Sequence, residues 1–273
     1  MKTNNLVTRI ITGALFLALV ISSAIVSRWI FLAVFGFFTV AGVLEYYRIC
    51  RAKGCDPQSV TGVALSIILF SALFFIADGT IPAKYLVLVA AAFCIVPVIE
   101  IYRKKETPLD NWSHTIFGVL YTALPMGLFS NMLYLPGTHE FNGKILLCFF
   151  IFIWVADTGA YCAGTLFGKH KLIPRISPKK SVEGLVGGII LTLAAAVPVY
   201  YLAGIYSLPQ WLIIAAVCIT FAVLGDLAES MIKRNVGIKD SGTLLPGHGG
   251  VLDRFDSALL ASIPVYACTI LME

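Results

Sequence analysis

Acidic, basic and glycine residues crowd into one stretch of this chain, residues 226–256, which reads DLAESMIKRNVGIKDSGTLLPGHGGVLDRFD. Three carboxylates, Asp226, Asp253 and Asp256, stand at its two ends. Several oxygen ligands at one point suit a hard cation such as Mg2+. Asp253 and Asp256 have the i, i+3 spacing that puts two side chains on one helix face, a turn apart. Between the acids stand Lys233, Arg234 and Lys239, whose charges match phosphate oxygens, and then Pro246-Gly-His-Gly-Gly250, where glycine lets backbone N–H groups approach a ligand closely. Paired carboxylates, a divalent ion and neighbouring cations amount to a phosphate-handling site. A solvated loop whose Lys, Arg and Asp neutralise one another is the competing account. His248, flanked by glycine, reads as a ligand contact or loop anchor rather than as a metal ligand.

A second cluster, Ser177-Pro-Lys-Lys-Ser-Val-Glu-Gly184, runs directly into an apolar segment. Ser181 can cap the helix that starts there, and the helix amino terminus with Lys179 and Lys180 would attract an anion. A juxtamembrane patch attracted to anionic headgroups has the same composition. One acid lies apart: Asp157, within Trp154-Val-Ala-Asp-Thr-Gly-Ala-Tyr161, falls inside an apolar run. A carboxylate at membrane depth costs roughly 2.5–3.5 kcal/mol on insertion scales, so it must face protein, water or a bound cation. A structural hydrogen bond to a neighbouring helix would also satisfy it.

The elements that carry these residues are set by composition. Of 273 residues, 59% are hydrophobic and 13% charged, about half the charge of an ordinary soluble domain. A soluble globular protein, a disordered tail and a fibrous repeat are excluded. Apolar runs near 10–27, 29–47, 60–77, 83–102, 115–135, 144–166, 184–204, 209–228 and 256–272 predict an all-α polytopic membrane protein with nine spanning helices. The first pair is divided only around Ser27 and Arg28, and Pro125 interrupts the fifth run, which a spanning helix tolerates. The first run has features of a cleaved signal peptide, but its length and the second run directly behind it favour a spanning helix. No repeat or linker breaks the chain. It reads as one membrane-embedded domain, 1–273, with amino-terminal helices over 1–140 and a catalytic part over 144–273.

The net charge of +5 needs no nucleic acid. Its sources alternate with the helices. Lys2 and Arg9, then Arg48, Arg51 and Lys53, then Arg103, Lys104 and Lys105, then the clusters at 169–180 and 233–254 all fall on one side, against only Arg28, Lys84 and Lys144 on the other. Positive residues favour the cytoplasmic side. The amino terminus and the long loops 167–183 and 229–255 are therefore expected inside the cell, and Glu273 outside. Gly184 and Gly188 form a GxxxG that predicts close helix packing. Seven scattered cysteines without a CxxC pair suggest neither a disulfide framework nor zinc. Gly164 to His170 is one residue short of a P-loop and lacks its Ser/Thr, and no GxSxG or HExxH occurs.

Ser230-Met-Ile-Lys233-Arg234, four residues, Lys239-Asp240, and then His248-Gly-Gly-Val-Leu-Asp253-Arg254-Phe-Asp256 resembles the signature of the phosphatidate cytidylyltransferase (CDP-diacylglycerol synthase) family. WVADTGAYCAG and SPKKSVEG resemble further segments of that family. The resemblance implies transfer of CMP from CTP to phosphatidate, giving CDP-diacylglycerol and diphosphate for phospholipid biosynthesis. It implies an integral, homodimeric enzyme of the inner cell membrane that uses Mg2+, with a second cation left open. Asp226, Asp253 and Asp256 would be the metal and catalytic carboxylates. Ser177, Lys179, Lys180, Ser181, Ser230, Lys233, Arg234, Lys239, Asp240, His248 and Arg254 would meet the substrates. Two other readings stay open on the residues alone. A CTP-dependent lipid kinase would transfer the γ-phosphate instead, and a cation-coupled transporter would also carry a deep acid such as Asp157.

Overall fold

A computed structural model describes residues 2–244, 246, 247 and 249–272, with side chains from residue 10 onward. His248 lies outside the described residues. The chain is helical almost throughout: α1 Lys2–Ile25, α2 Arg28–Ala52, α3 Ser59–Ala77, α4 Leu86–Ala92, α5 Ile95–Arg103, α6 Pro108–Leu128, α7 Lys144–Phe167, α8 Val182–Ala203, α9 Leu208–Asn235 and α10 Leu252–Leu271. Two short strands, β1 Lys171–Ile173 and β2 Ser177–Ser181, pair antiparallel between α7 and α8. Among the described residues eight helical segments are long and apolar enough to cross a membrane, and Ile10–Ile25 is a shorter apolar helix. Each of the nine apolar runs is thus helical, the fourth in two pieces.

The doubtful joints have physical explanations. Ser27 separates α1 from α2 by accepting a hydrogen bond from the Trp29 N–H as the N-cap. Pro125 is carried inside α6. The fourth run, by contrast, is broken. Phe93 and Cys94 bond back to Ala90 and Ala91 over three residues rather than four, and Pro97 in the first turn of α5 has no N–H to offer the Phe93 carbonyl four residues earlier, so a tightened turn separates α4 from α5.

The chain packs as two compact units, Met1–Asn131 with Val236–Phe255, and Met132–Asn235 with Asp256–Glu273. In the first, Phe31, Phe35, Phe38, Phe74, Phe129 and Phe255 form a buried aromatic core. Tyr47 lies fully buried and donates to Thr115 O at 2.7 Å. A buried polar knot joins the α2–α3 loop to α5 and α6: Glu100 accepts from Gln58, Arg103 and Asn111, while Arg103 and Lys105 reach Asp56.

The second unit is built on close approach of α7 and α8. A Cβ added at Gly184 would lie 2.8 Å from Ala160 O, and one at Gly188 3.0 Å from Ala156 O. The first is closer than real side chains come and the second is at the tight limit, so the GxxxG spacing does serve helix packing. α9 packs against both, anchored by the fully buried Trp211 stacked edge-on against Phe152 and Tyr206. Many large apolar side chains still point outward, Ile190, Tyr201 and Leu202 of α8 among them, as a lipid-facing surface requires.

Candidate active site

The polar residues of the second unit gather at one end of α7, α8, α9 and α10. α9 continues well past its apolar run to Asn235, so the expected loop 229–255 is shorter, about 236–251. Ala228, Glu229, Met231, Lys233 and Arg234 are good helix formers, and a helix needs apolar residues only where lipid surrounds it. The extension puts Asp226, Glu229, Ser230 and Lys233 on one face at i, i+3, i+4 and i+7. Ser230 Oγ donates to Asp226 Oδ1 at 3.2 Å. Lys233, only 8% exposed, forms an ion pair with the buried Glu229. This lysine therefore belongs to the helix interior and not to a solvated loop.

α10 starts at Leu252, earlier than the apolar run, which places Asp253 and Asp256 in its first turns. Gly225 permits the next step. A Cβ there would lie 2.6 Å from Asp256 O, so the absence of a side chain lets α9 come against the α10 backbone beside Asp226. Asp256, half-buried, comes within electrostatic reach of Asp226 and Asp157, with Lys233 as the opposing positive charge. Its Oδ1 accepts from Ser257 N–H at 2.6 Å.

The β1–β2 hairpin supplies the cations. Lys180 Nζ lies 2.5 Å from Asp226 Oδ2. Ser181, buried, caps α8 by accepting from Gly184 N–H at 3.1 Å, as its place before an apolar run predicts. Glu183 draws the preceding turn in, accepting from the N–H groups of Lys169 and His170 and meeting His170 Nδ1 at 2.6 Å. Behind this edge opens a cavity of about 420 Å³. Asp157, Lys179, Lys180, Ser181 and Ser257 supply its polar lining, and Ala156, Leu185, Ile219 and Ala222 line it with apolar groups. Asp157 is thus exposed toward a cavity inside its helix bundle, one of the settings its cost at membrane depth allows.

Asp253 belongs to the first unit, where its Oδ2 accepts from Ser241 N–H, Ser241 Oγ and Gly250 N–H at 2.8–2.9 Å. Arg234, Lys239, Asp240 and Arg254 are exposed, and Ser177 is half-buried at the start of β2. Among the described residues no group of three or more His, Cys, Asp or Glu side chains could hold a metal by itself.

Residues 7–272 match the model of the cytidylyltransferase family. The chain belongs to that family. A phosphatidate cytidylyltransferase of Haemophilus influenzae is 46% identical over 137 residues, 48% of this chain and 47% of that protein. One of Staphylococcus aureus is 46% identical over 172 residues, 62% of this chain and 63% of that protein, and one of Staphylococcus haemolyticus is 37% identical over the same coverage. The chain spans between about half and just under two thirds of the length of these relatives.

Three acids outside the signature make polar contacts that the sequence reading missed: Glu229 and Glu183 in the second unit, and Glu45 in the first. Glu229 was detectable in principle, three residues after Asp226 and four before Lys233, once α9 is extended past its apolar run. Glu183 sits in the SPKKSVEG segment but looks like an ordinary first-turn acid. Glu45 lies in another helix, far away in sequence, and only folding could reveal its partners.

Proposed function

We propose that this chain transfers CMP from CTP to phosphatidate, forming CDP-diacylglycerol and diphosphate. The observation that carries the proposal is the convergence of Asp226, Asp256 and Asp157 with Lys180 beside a cavity that is polar at one edge and apolar behind. A phosphorylated diacylglycerol needs such a division, since its headgroup must meet a nucleotide while its tails remain in lipid. Family membership and the names of the relatives support the same reading.

The reaction asks little proton chemistry of the protein. A phosphatidate oxygen attacks the α-phosphorus of CTP, a new P–O bond forms, and the bond to the β-phosphate bridge breaks to release diphosphate. The lipid phosphate is already nucleophilic at neutral pH. The protein must align the partners and stabilise the charge that collects on diphosphate. Lys179 and Lys180 are suited to that charge, and Asp226 orients Lys180.

Mg2+ fits the donor set, because this ion commonly takes one or two carboxylates and completes its shell with phosphate oxygens and water. Asp226 and Asp256 would hold it, and the resemblance to the family signature implies a further catalytic role for Asp253. A bound Mg2+ would offset phosphate charge; a second cation is left to experiment. The cytoplasmic orientation and the homodimer belong to the same proposal, the first supported by the one-sided distribution of Lys and Arg.

The test uses purified protein in detergent with phosphatidate, Mg2+ and labelled CTP. α-Label should enter the lipid with equimolar diphosphate release. Label entering only from the γ-position would make the protein a lipid kinase, and no lipid labelling from either position would leave the transporter reading.

A further inference from the structure

We propose that Glu45, on α2, is a positioning residue for Asp253. The proposal rests on the reading above that Asp253 is a working carboxylate. Glu45 is only 5% exposed and belongs to the same compact unit as residues 236–255. Its Oε1 accepts from Val251 N–H at 3.0 Å, and its Oε2 accepts from Leu252 N–H at 3.0 Å and Ser241 Oγ–H at 3.1 Å.

Val251 and Leu252 stand where α10 begins, and the first N–H groups of a helix have no intrahelical acceptors. A carboxylate is also favoured at the positive end of the helix dipole. Glu45 therefore caps α10 from another helix. Asp253 follows immediately, and its Oδ2 is held by Ser241 N–H, Ser241 Oγ and Gly250 N–H. The Ser241 hydroxyl has a single hydrogen within reach of both carboxylates, so one side chain links the two acids.

The glycines of the loop fit the same arrangement. A Cβ on Gly250 would fall 2.3 Å from Glu45 Oε2 and 2.4 Å from Ser241 Oγ, and one on Gly242 would fall 2.5 Å from Glu45 Oε1. At Gly242 and Gly250 the loop backbone comes against the Glu45 carboxylate with no room for a side chain. Its buried charge would be costly without these donors, so Glu45 and the loop hold each other. The direction of Asp253 is fixed by that mutual constraint.

Glu45→Gln keeps the size but turns an amide N–H2 toward a backbone N–H, breaking one side of the clamp. In the full-length protein, hydrogen exchange at residues 241–253 should rise about tenfold while α7 and α8 keep their protection. In cytidylyl transfer kcat should fall about tenfold or more, with KM for CTP changing far less, as expected when alignment of a reacting group is lost. Ser241→Ala should show a smaller loss of the same kind. Gly250→Ala should impair transfer, and adding it to Glu45→Gln should cost little more, because both break one clamp.

Unchanged exchange at 241–253 in Glu45→Gln would overturn the proposal, as would raised exchange with wild-type kcat. Exchange that rises throughout the chain would also overturn it in favour of a general stabilising role. If Glu45→Gln does not fold, Ser241→Ala and Gly250→Ala decide: a lower kcat at an unchanged melting temperature supports positioning, and wild-type kcat in both refutes it. Wild-type protein inactive on CTP and phosphatidate would sink the underlying functional reading, while the exchange measurement would still report on the clamp.

Discussion

Lys180, on a short strand, and Asp226, in the middle of a long helix, meet at 2.5 Å with both side chains about a quarter exposed. The contact joins the two polar clusters that the sequence presents separately. In the proposed reaction Asp226 would orient Lys180 for a phosphate and contribute negative charge beside Asp256.

Lys180→Met and Asp226→Asn should each lower kcat/KM for CTP by tenfold or more, each factor of ten being about 1.4 kcal/mol of transition-state stabilisation. The double variant should be little worse than either single one, because the two residues act as a unit. Steady-state kinetics at saturating phosphatidate would check this. Fully additive losses would mean that the ion pair has no part in the reaction.

Glu229 and Lys233 form a buried ion pair on α9. Glu229→Gln leaves the lysine charge buried without its counter-charge, and breaking one side of such a pair costs about 3–5 kcal/mol. Thermal unfolding in detergent should show a clearly lower midpoint. Replacing both, Glu229→Leu with Lys233→Met, should recover most of that stability. A Glu229→Gln protein as stable as the wild type would show that the pair is already open to water.

The Lys105 ammonium, hydrogen-bonded to Asp56, together with the nearby Arg103 and Arg51 charges, holds the Asp56 carboxyl below the usual carboxylate range. A folded-state pKa lowered in this way stabilises the protein above the unfolded value, about 3.9, and that stabilisation is lost as pH falls through the folded value. Asp56→Asn should therefore lower the melting temperature near neutral pH and lose its effect at the acid end. The prediction fails if the wild-type and variant midpoints differ by the same amount across the whole range.

Asp240→Cys and Glu140→Cys should label from opposite sides of the membrane, since the Lys and Arg distribution puts the loop after α9 inside the cell and the loop before α7 outside. Both positions are exposed, unlike Ser241, which is buried in the clamp. With the exposed Cys94 and Cys162 replaced, an impermeant thiol reagent applied to intact cells should modify only the Glu140→Cys protein. Modification of Asp240→Cys would invert the topology.

The hydrophobic runs alone determined the approximate places of the helical segments, because lipid requires long apolar stretches and leaves few alternatives for the backbone. Two local features were legible too, in residue types at fixed positions: the capping Ser181 and the packing glycines of α8. Helix ends were less legible. α9 and α10 run past their apolar cores, where hydropathy has nothing to report, and the break at Phe93 is signalled only by Pro97, which a membrane helix often carries without breaking. Tertiary structure decided the partners. Lys233 turns inward to Glu229, Lys180 crosses to Asp226, and Glu45 closes on residues 241–252 from a distant helix. Such pairings depend on which helix faces meet, and that follows from packing the whole chain rather than from the order of its residues.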